Sequence, residues 1–156
     1  MDKLYGVLII LVIIFLGINI SINGFSITPT DHTVNNALDL ATLDKNFTST
    51  KINQTAIKFF DKNKNMTIKV EQINDTQNVS KIHDNLMKEK KYTSSQKVDV
   101  HGVPTYFLYK EGATTYDCDI YFNKNGTNYW INGNKITYAD SDYFIKHCKQ
   151  IVGKIK

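Results

Sequence analysis

The chain contains no arginine; all 19 basic side chains are lysine. Arginine forks dominate contacts to bases and phosphates, and no basic stripe is present, so nucleic acid is not an expected partner. There are only two prolines and no low-complexity tract, heptad or internal repeat, so neither a rigid linker nor a repeat architecture is expected. The two cysteines, Cys118 and Cys148, form no C-x-x-C, the arrangement that lowers a thiol pKa for dithiol redox chemistry. The four histidines, His32, His83, His101 and His147, show no H-x-x-x-H or H-E-x-x-H spacing, so no metal or cofactor is expected. His147 and Cys148 are adjacent and point to different sides of a helix, which removes a Cys–His nucleophile pair. No catalytic constellation remains, so a non-enzymatic module is expected, with a redox protein or an unrecognised hydrolytic enzyme as the alternative.

What the sequence does have is a long apolar run at its start. Leu4 to Ile22 reads LYGVLIILVIIFLGINISI. At ~1.5 Å per residue, about 19 helical residues span roughly 28 Å, close to the hydrocarbon thickness of a bilayer. Signal peptides have shorter apolar cores and a small-residue cleavage site, which Ile18 to Phe25 does not offer. No cysteine follows for lipidation. An uncleaved single-pass anchor over 1–23 is expected, with release after cleavage as the alternative. Lys3 precedes the run, and the next lysine is Lys45, so the positive-inside rule places the remainder outside the cytoplasm. Residues 24–156 suffice for one exported domain and are too few for two.

Six N-x-S/T sequons follow, at Asn46, Asn53, Asn65, Asn74, Asn78 and Asn125. They are candidate N-glycosylation sites, and all fall in or beside expected loops, turns or helix starts. An Asn-rich composition producing sequons by accident is the competing explanation.

Hydrophobic periodicity organises the exported part. Gly24 to Thr28 reads as a short strand stopped by Pro29. Thr30 to Asn53 reads mostly as loop, with a helical turn at Ala37 to Leu43. Gln54 to Phe60 and Met66 to Ile73 read as strands; in the second, Met66, Ile68 and Val70 alternate with Thr67, Lys69 and Glu71. Asp61-x-Asn63-x-Asn65 starts like a calcium loop but lacks its glycine and closing glutamate, so it reads as a hairpin turn. Thr76 to Lys90 carries Val79, Ile82, His83, Leu86 and Met87 on one helical face. Strands are expected at Gln96 to Val100, Val103 to Tyr109, Thr114 to Phe122, Asn128 to Ile131 and Lys135 to Tyr138. Asn125-Gly126 and Asn132-Gly133 are the turn signals among them. A final helix starts near Asp140 or Ser141, with Phe144, Cys148, Ile151 and Ile155 as its stripe. The fold class is α+β: an antiparallel sheet of about six or seven strands packed by two helices.

This order resembles the PsbP/Mog1-like fold. The resemblance rests on a short strand and proline at Gly24-Phe25-Ser26-Ile27-Thr28-Pro29 and on the Gly-aromatic strand His101-Gly102-Val103-Pro104-Thr105-Tyr106-Phe107. It continues through Asn128-Tyr129-Trp130-Ile131 and the closing amphipathic helix Tyr143 to Ile155. The chain is also similar to small anchored surface proteins of methanogenic archaea. The resemblance implies a fold and a place at the outer membrane face; it transfers no catalytic residue. Val98 to Gly112 is similar to the stretch around the thioredoxin cis-proline, without that family's cysteine pair.

Two further groups stand out. Cys118 lies on a strand face with Tyr116, Ile120 and Phe122, and Cys148 on the apolar stripe of the last helix. Both point to one sheet–helix interface, where an oxidising compartment favours a disulfide and a reducing one leaves two buried thiols. Tyr109, Tyr121 and Tyr129 alternate with Leu108, Ile120 and Trp130. They are the candidate binding surface for an envelope protein or glycan, with half-buried packing as the alternative. Asp117 and Asp119 read as the solvated face of their strand.

Overall fold

The computed structural model describes residues 43–156. The apolar run, the strand expected at 24–28, His32 and the turn expected at Ala37 to Leu43, except for Leu43 itself, lie outside the described residues. Seven strands form one antiparallel sheet. In chain order the elements are β1 (Phe47–Lys51), β2 (Ala56–Asp61), β3 (Met66–Ile73), α1 (Val79–Lys88), β4 (Ser94–Val100), β5 (Val103–Glu111), β6 (Thr115–Lys124), β7 (Thr127–Thr137), a 3₁₀ turn (Tyr138–Asp140) and α2 (Ser141–Lys154). Their order across the sheet is β1-β2-β3-β7-β6-β5-β4. Two runs of hairpin-connected strands are therefore joined by one non-local pairing, β3 with β7. The fold class is α+β, as the alternation of the sequence leads one to expect.

Each hairpin has a local cause. Asn125 (φ 53°) and Gly126 (φ 81°) form a two-residue turn whose positive φ angles match the twist of the strands it joins. His101 (φ 54°) and Gly102 (φ 80°) do the same between β4 and β5, where the Gly102 N–H donates to Asp99 Oδ1 at 2.8 Å. The Asp61–Asn65 segment is a hairpin turn. Asp61 Oδ1 accepts from the Asn63 N–H at 2.8 Å and the Lys64 N–H at 3.3 Å. The other oxygen of this buried carboxylate accepts from the Tyr143 hydroxyl at 2.6 Å, tying the turn to α2.

Strand alternation divides the sheet into two faces. Phe59, Ile68, Phe107, Cys118, Ile120, Phe122 and Ile131 point to one face, against Phe144, Cys148, Ile151 and Val152 of α2; all are fully buried. The opposite face is covered over β5 and β6 by α1. His83 of α1 lies against Tyr106, with ring centroids 5.0 Å apart, and its Nε2 is 3.1 Å from Ser95 Oγ. Leu108 is completely buried on this second face. α1 is capped by Asn78, whose Oδ1 accepts from the Ser80 N–H at 2.9 Å. α2 is closed by Lys124, whose ammonium donates to the Val152 and Gly153 carbonyls at 2.9 and 3.1 Å, where a cation also complements the helix dipole.

Three elements differ from their sequence expectation. β1 lies in the stretch read as loop, because FTSTK is an edge strand with one buried residue and no alternation to betray it. The strands expected at Asn128 to Ile131 and Lys135 to Tyr138 are one strand, β7. Asn132-Gly133 is not a turn: both residues pair with β3 and β6, and the register shifts just beyond them, where Asn134 and Lys135 of β7 bulge opposite Asp117 of β6. α2 also buries His147, which lies outside the expected stripe of Phe144, Cys148, Ile151 and Ile155. Its ring lies 4.9 Å from Phe47 and 4.3 Å from Tyr143, so this helix buries a wider arc than its aliphatic stripe.

Gly133 is in the strand because α2 passes directly above it. A Cβ there would occupy the space of the Phe144 ring. Gly133→Ala should therefore destabilise by about 1–3 kcal/mol, the usual cost of overpacking. A lowered urea midpoint at unchanged m-value checks it, and Phe144→Leu in the same background should recover part of the loss, because the contact is shared. Additive losses would remove this account.

Candidate functional site

The sheet face under α1 carries a carboxylate hub. Asp119 of β6 accepts three side-chain hydrogen bonds: from the Tyr92 hydroxyl at 2.6 Å, from Trp130 Nε1 at 2.7 Å and from Asn132 Nδ2 at 2.8 Å. Its position follows from register. Asn132 is the direct cross-strand partner of Asp119, and Trp130 lies two residues back on the same face of β7. Tyr92 reaches over from the segment between α1 and β4. Trp130 is flanked on its other side by Lys69, whose ammonium sits 4.9 Å from the ring centroid and 2.6 Å from Glu71. Asp119 is thus a positioning group: its oxygens are occupied by donors that it holds in fixed places. Sequence reading takes it for solvated surface, because the register that brings Trp130, Asn132 and Tyr92 to it is not visible in the chain.

Beside the hub lies an open pocket of about 410 Å³. Tyr92, Asp119 and Asp117 form one part of its wall and Asn134 another, while Lys90, Lys91 and Lys110 supply the cations. Asp117 Oδ1 accepts from the Lys135 N–H at 2.8 Å. Asn134 is fixed by exchange with Asn132, donating through Nδ2 at 2.8 Å. Lys91 is paired with Glu89 at 2.5 Å. Among the described residues neither Lys90 nor Lys110 has an ion-pair partner. Lys90 and Lys135 both hold positive φ, 55° and 53°, a conformation uncommon in non-glycine residues. The lining has no aliphatic residue apart from the lysine stems, so the pocket suits a polar ligand.

The residues singled out from sequence are distributed differently. Tyr109 and Tyr129 do not join Tyr121 on a common surface. Tyr109 pairs with Cys118 and Tyr129 with Phe122, which puts both on the α2 face. Tyr129 is buried and stacked on Phe122, with centroids 5.2 Å apart, and Tyr109 packs on Tyr116 at 5.8 Å. The alternation misleads because the central strands are buried on both faces: Phe107 and Leu108 are adjacent and both inaccessible. Tyr121 alone is half-buried on the Asp119 side.

Cys118 and Cys148 are both fully buried in one core, as free thiols. Burial pushes both thiols far above the ordinary range, and the charge of each neighbouring acid, Asp119 for Cys118 and the Cys118 thiol for Cys148, adds to it. All six sequon asparagines are exposed. Two carry a defined geometry: Asn53 Oδ1 accepts from the Thr55 N–H and hydroxyl at 2.8 and 3.1 Å, and Asn78 Oδ1 from the Ser80 N–H and hydroxyl at 2.9 and 3.0 Å. Among the described residues no group of three His, Cys, Asp or Glu side chains converges to hold a metal ion. No protein-family model matches this chain, and no curated protein does.

Asp119→Ala leaves the Tyr92 hydroxyl, the Trp130 N–H and the Asn132 amide without their acceptor. The expected loss is about 2–4 kcal/mol, with a red shift of Trp130 emission as water reaches the indole. An unchanged emission maximum would show that the hub does not fix Trp130.

Tyrosine ionisation gives a pH test. Burial, then the Asp119 charge, pushes Tyr121 up to about 12, and burial with the Asp61 hydrogen bond does the same for Tyr143. Both phenols stay neutral in the folded state while the unfolded chain ionises near 10. The unfolded state then binds fewer protons, so the contribution of these two tyrosines is fully present below pH 10 and is lost as pH rises toward about 12. Denaturant midpoints across this range, with phenolate absorbance, check the sign; rising stability would contradict it.

Proposed function

We propose that the chain is a single-pass, membrane-anchored protein whose residues 24–156 form an exported, non-enzymatic binding module of PsbP/Mog1-like type. Its partner is an envelope protein or glycan. The anchor is the apolar run Leu4 to Ile22, and Lys3 orients it. The exposure of all six sequon asparagines supports an outward-facing surface open to modification. The α+β order, with a helix after the first strand group and a closing amphipathic helix, supports the family resemblance.

One observation carries the non-enzymatic reading. The carboxylates, histidines and thiols that the fold buries or half-buries at Asp61, Asp119, His83, His147, Cys118 and Cys148 are committed to structure, while a polar pocket stays open. Asp61 and Asp119 each accept three hydrogen bonds. His83 is engaged by Asp84 and Ser95, and His147 by the Tyr143 carbonyl at 2.7 Å. A redox or nucleophilic cysteine needs a lowered pKa and access to solvent; Cys118 and Cys148 have a raised pKa and neither has access. Their shared core instead suits a structural bridge, formed when the compartment's oxidant takes the two thiol hydrogens.

Mass spectrometry of the native full-length protein, combined with capture of partners from its own envelope, tests this. The expected result is an intact N-terminus, glycan mass on at least one sequon, and a specific partner recovered in repeated trials. Robust insulin reduction by the purified protein would overturn the non-enzymatic reading, and an N-terminus beginning after residue 22 would overturn the anchor.

A further inference from the structure

The pocket beside Asp119 has a charge pattern that narrows its ligand. Lys90 and Lys110 stand at its rim as exposed ammoniums with no ion-pair partner among the described residues. Facing them is Asp117, whose Oδ1 is used by the Lys135 N–H and whose Oδ2 carries no hydrogen bond among the described residues. The Tyr92 hydroxyl, which donates to Asp119 at 2.6 Å, lines the same cavity. The site therefore offers two cations for an anionic group and, close by, fixed acceptors for hydroxyl donors. A simple anion would use the cations and be repelled by Asp117. An apolar ligand would meet the Tyr92 ring and the lysine stems but would leave the charged groups of the lining without partners. A molecule carrying a carboxylate and several hydroxyls uses both halves.

The wall is also preorganised. Asp119 holds Tyr92, Trp130 and Asn132, and Asn132 in turn exchanges hydrogen bonds with Asn134. Lys90 is kept at the rim by the end of α1, its N–H donating to the Met87 carbonyl at 3.2 Å in a left-handed conformation. The acceptor side of the wall is therefore ordered before binding, while the exposed side chains of Lys90 and Lys110 are ordered by the ligand, at a cost in side-chain entropy.

We propose that this pocket binds an acidic sugar, with the sugar carboxylate between Lys90 and Lys110 and its hydroxyls donating to Asp117 and Tyr92. This rests on the reading of the domain as a binding module and gives that module a ligand class. Trp130 is the sole tryptophan of the chain and bonds to a pocket residue, so its emission reports occupancy.

The full-length protein in detergent is titrated with oligogalacturonate, with malto-oligosaccharide of equal length, with inorganic phosphate and with free glutamate. Expected is a saturable change in Trp130 emission with the acidic oligosaccharide only, weakening as salt rises. Lys90→Gln with Lys110→Gln should reduce affinity on the order of tenfold or more, with far-UV circular dichroism unchanged. Equal binding of the neutral sugar, equal competition by phosphate or glutamate, or no saturable change overturns the acidic-sugar assignment. If the double variant still captures an envelope partner as the parent does, the module reading stands and this pocket is not its site. If neither protein captures one, the module reading itself fails.

Discussion

The central pair of strands, β6 and β7, must be buried on both faces at once, and most of the molecule follows from how that is done. On one side Cys118, Ile120 and Ile131 meet α2; on the other Asp119, Tyr121 and Trp130 lie beside α1 and the segment after it. A strand pair covered on one side only would carry a simple alternation of apolar and polar residues. Here the second face is built from polar and aromatic groups that satisfy one another, which is how a carboxylate comes to lie between strands without a cation against it. The glycine under Phe144 is the counterpart on the first face: α2 approaches closely enough that a side chain on β7 has to be given up.

This double coverage explains which parts of the fold were legible in the chain. β3 was readable to its exact bounds, Met66–Ile73, because its outer residues face solvent or one another as Thr67, Lys69 and Glu71. α2 was readable because its stripe and its start coincide with Phe144, Cys148 and Ser141. The tyrosines were not. Which of Phe107 and Leu108 faces α2 depends on the register with β6, and nothing within β5 encodes that register. Asn132-Gly133 has the composition of a turn, but local propensity yields to pairing on both sides, since β7 is bonded to β3 and β6 along most of its length.

The candidate site was less legible than the fold. Its residues come from β5, β6, β7 and the segment after α1, and no two of its wall groups form a motif in sequence. Asp117 and Asp119 are visible as a pair, but their different roles are not. Asp119 is saturated by three donors and Asp117 has an oxygen to spare, a distinction set by whether Trp130 or Lys135 lies across the strand gap. The cysteines show the reverse case. Their faces were legible from alternation and helical spacing, because the α2 side of the sheet is uniformly apolar.

The two outermost strands have a consequence for how copies of the domain meet one another. Among the described residues β1 and β4 each pair on one side only, which leaves a row of backbone donors and acceptors along each border of the sheet. Such borders template edge-to-edge growth when they are long and apolar. Here β1 is five residues, Phe-Thr-Ser-Thr-Lys, bracketed by the sequons at Asn46 and Asn53, and β4 exposes Ser95, Gln96, Lys97 and Asp99. Neither border offers an apolar ribbon to a second copy. Copies that meet at high local concentration therefore do so without fusing their sheets at these borders.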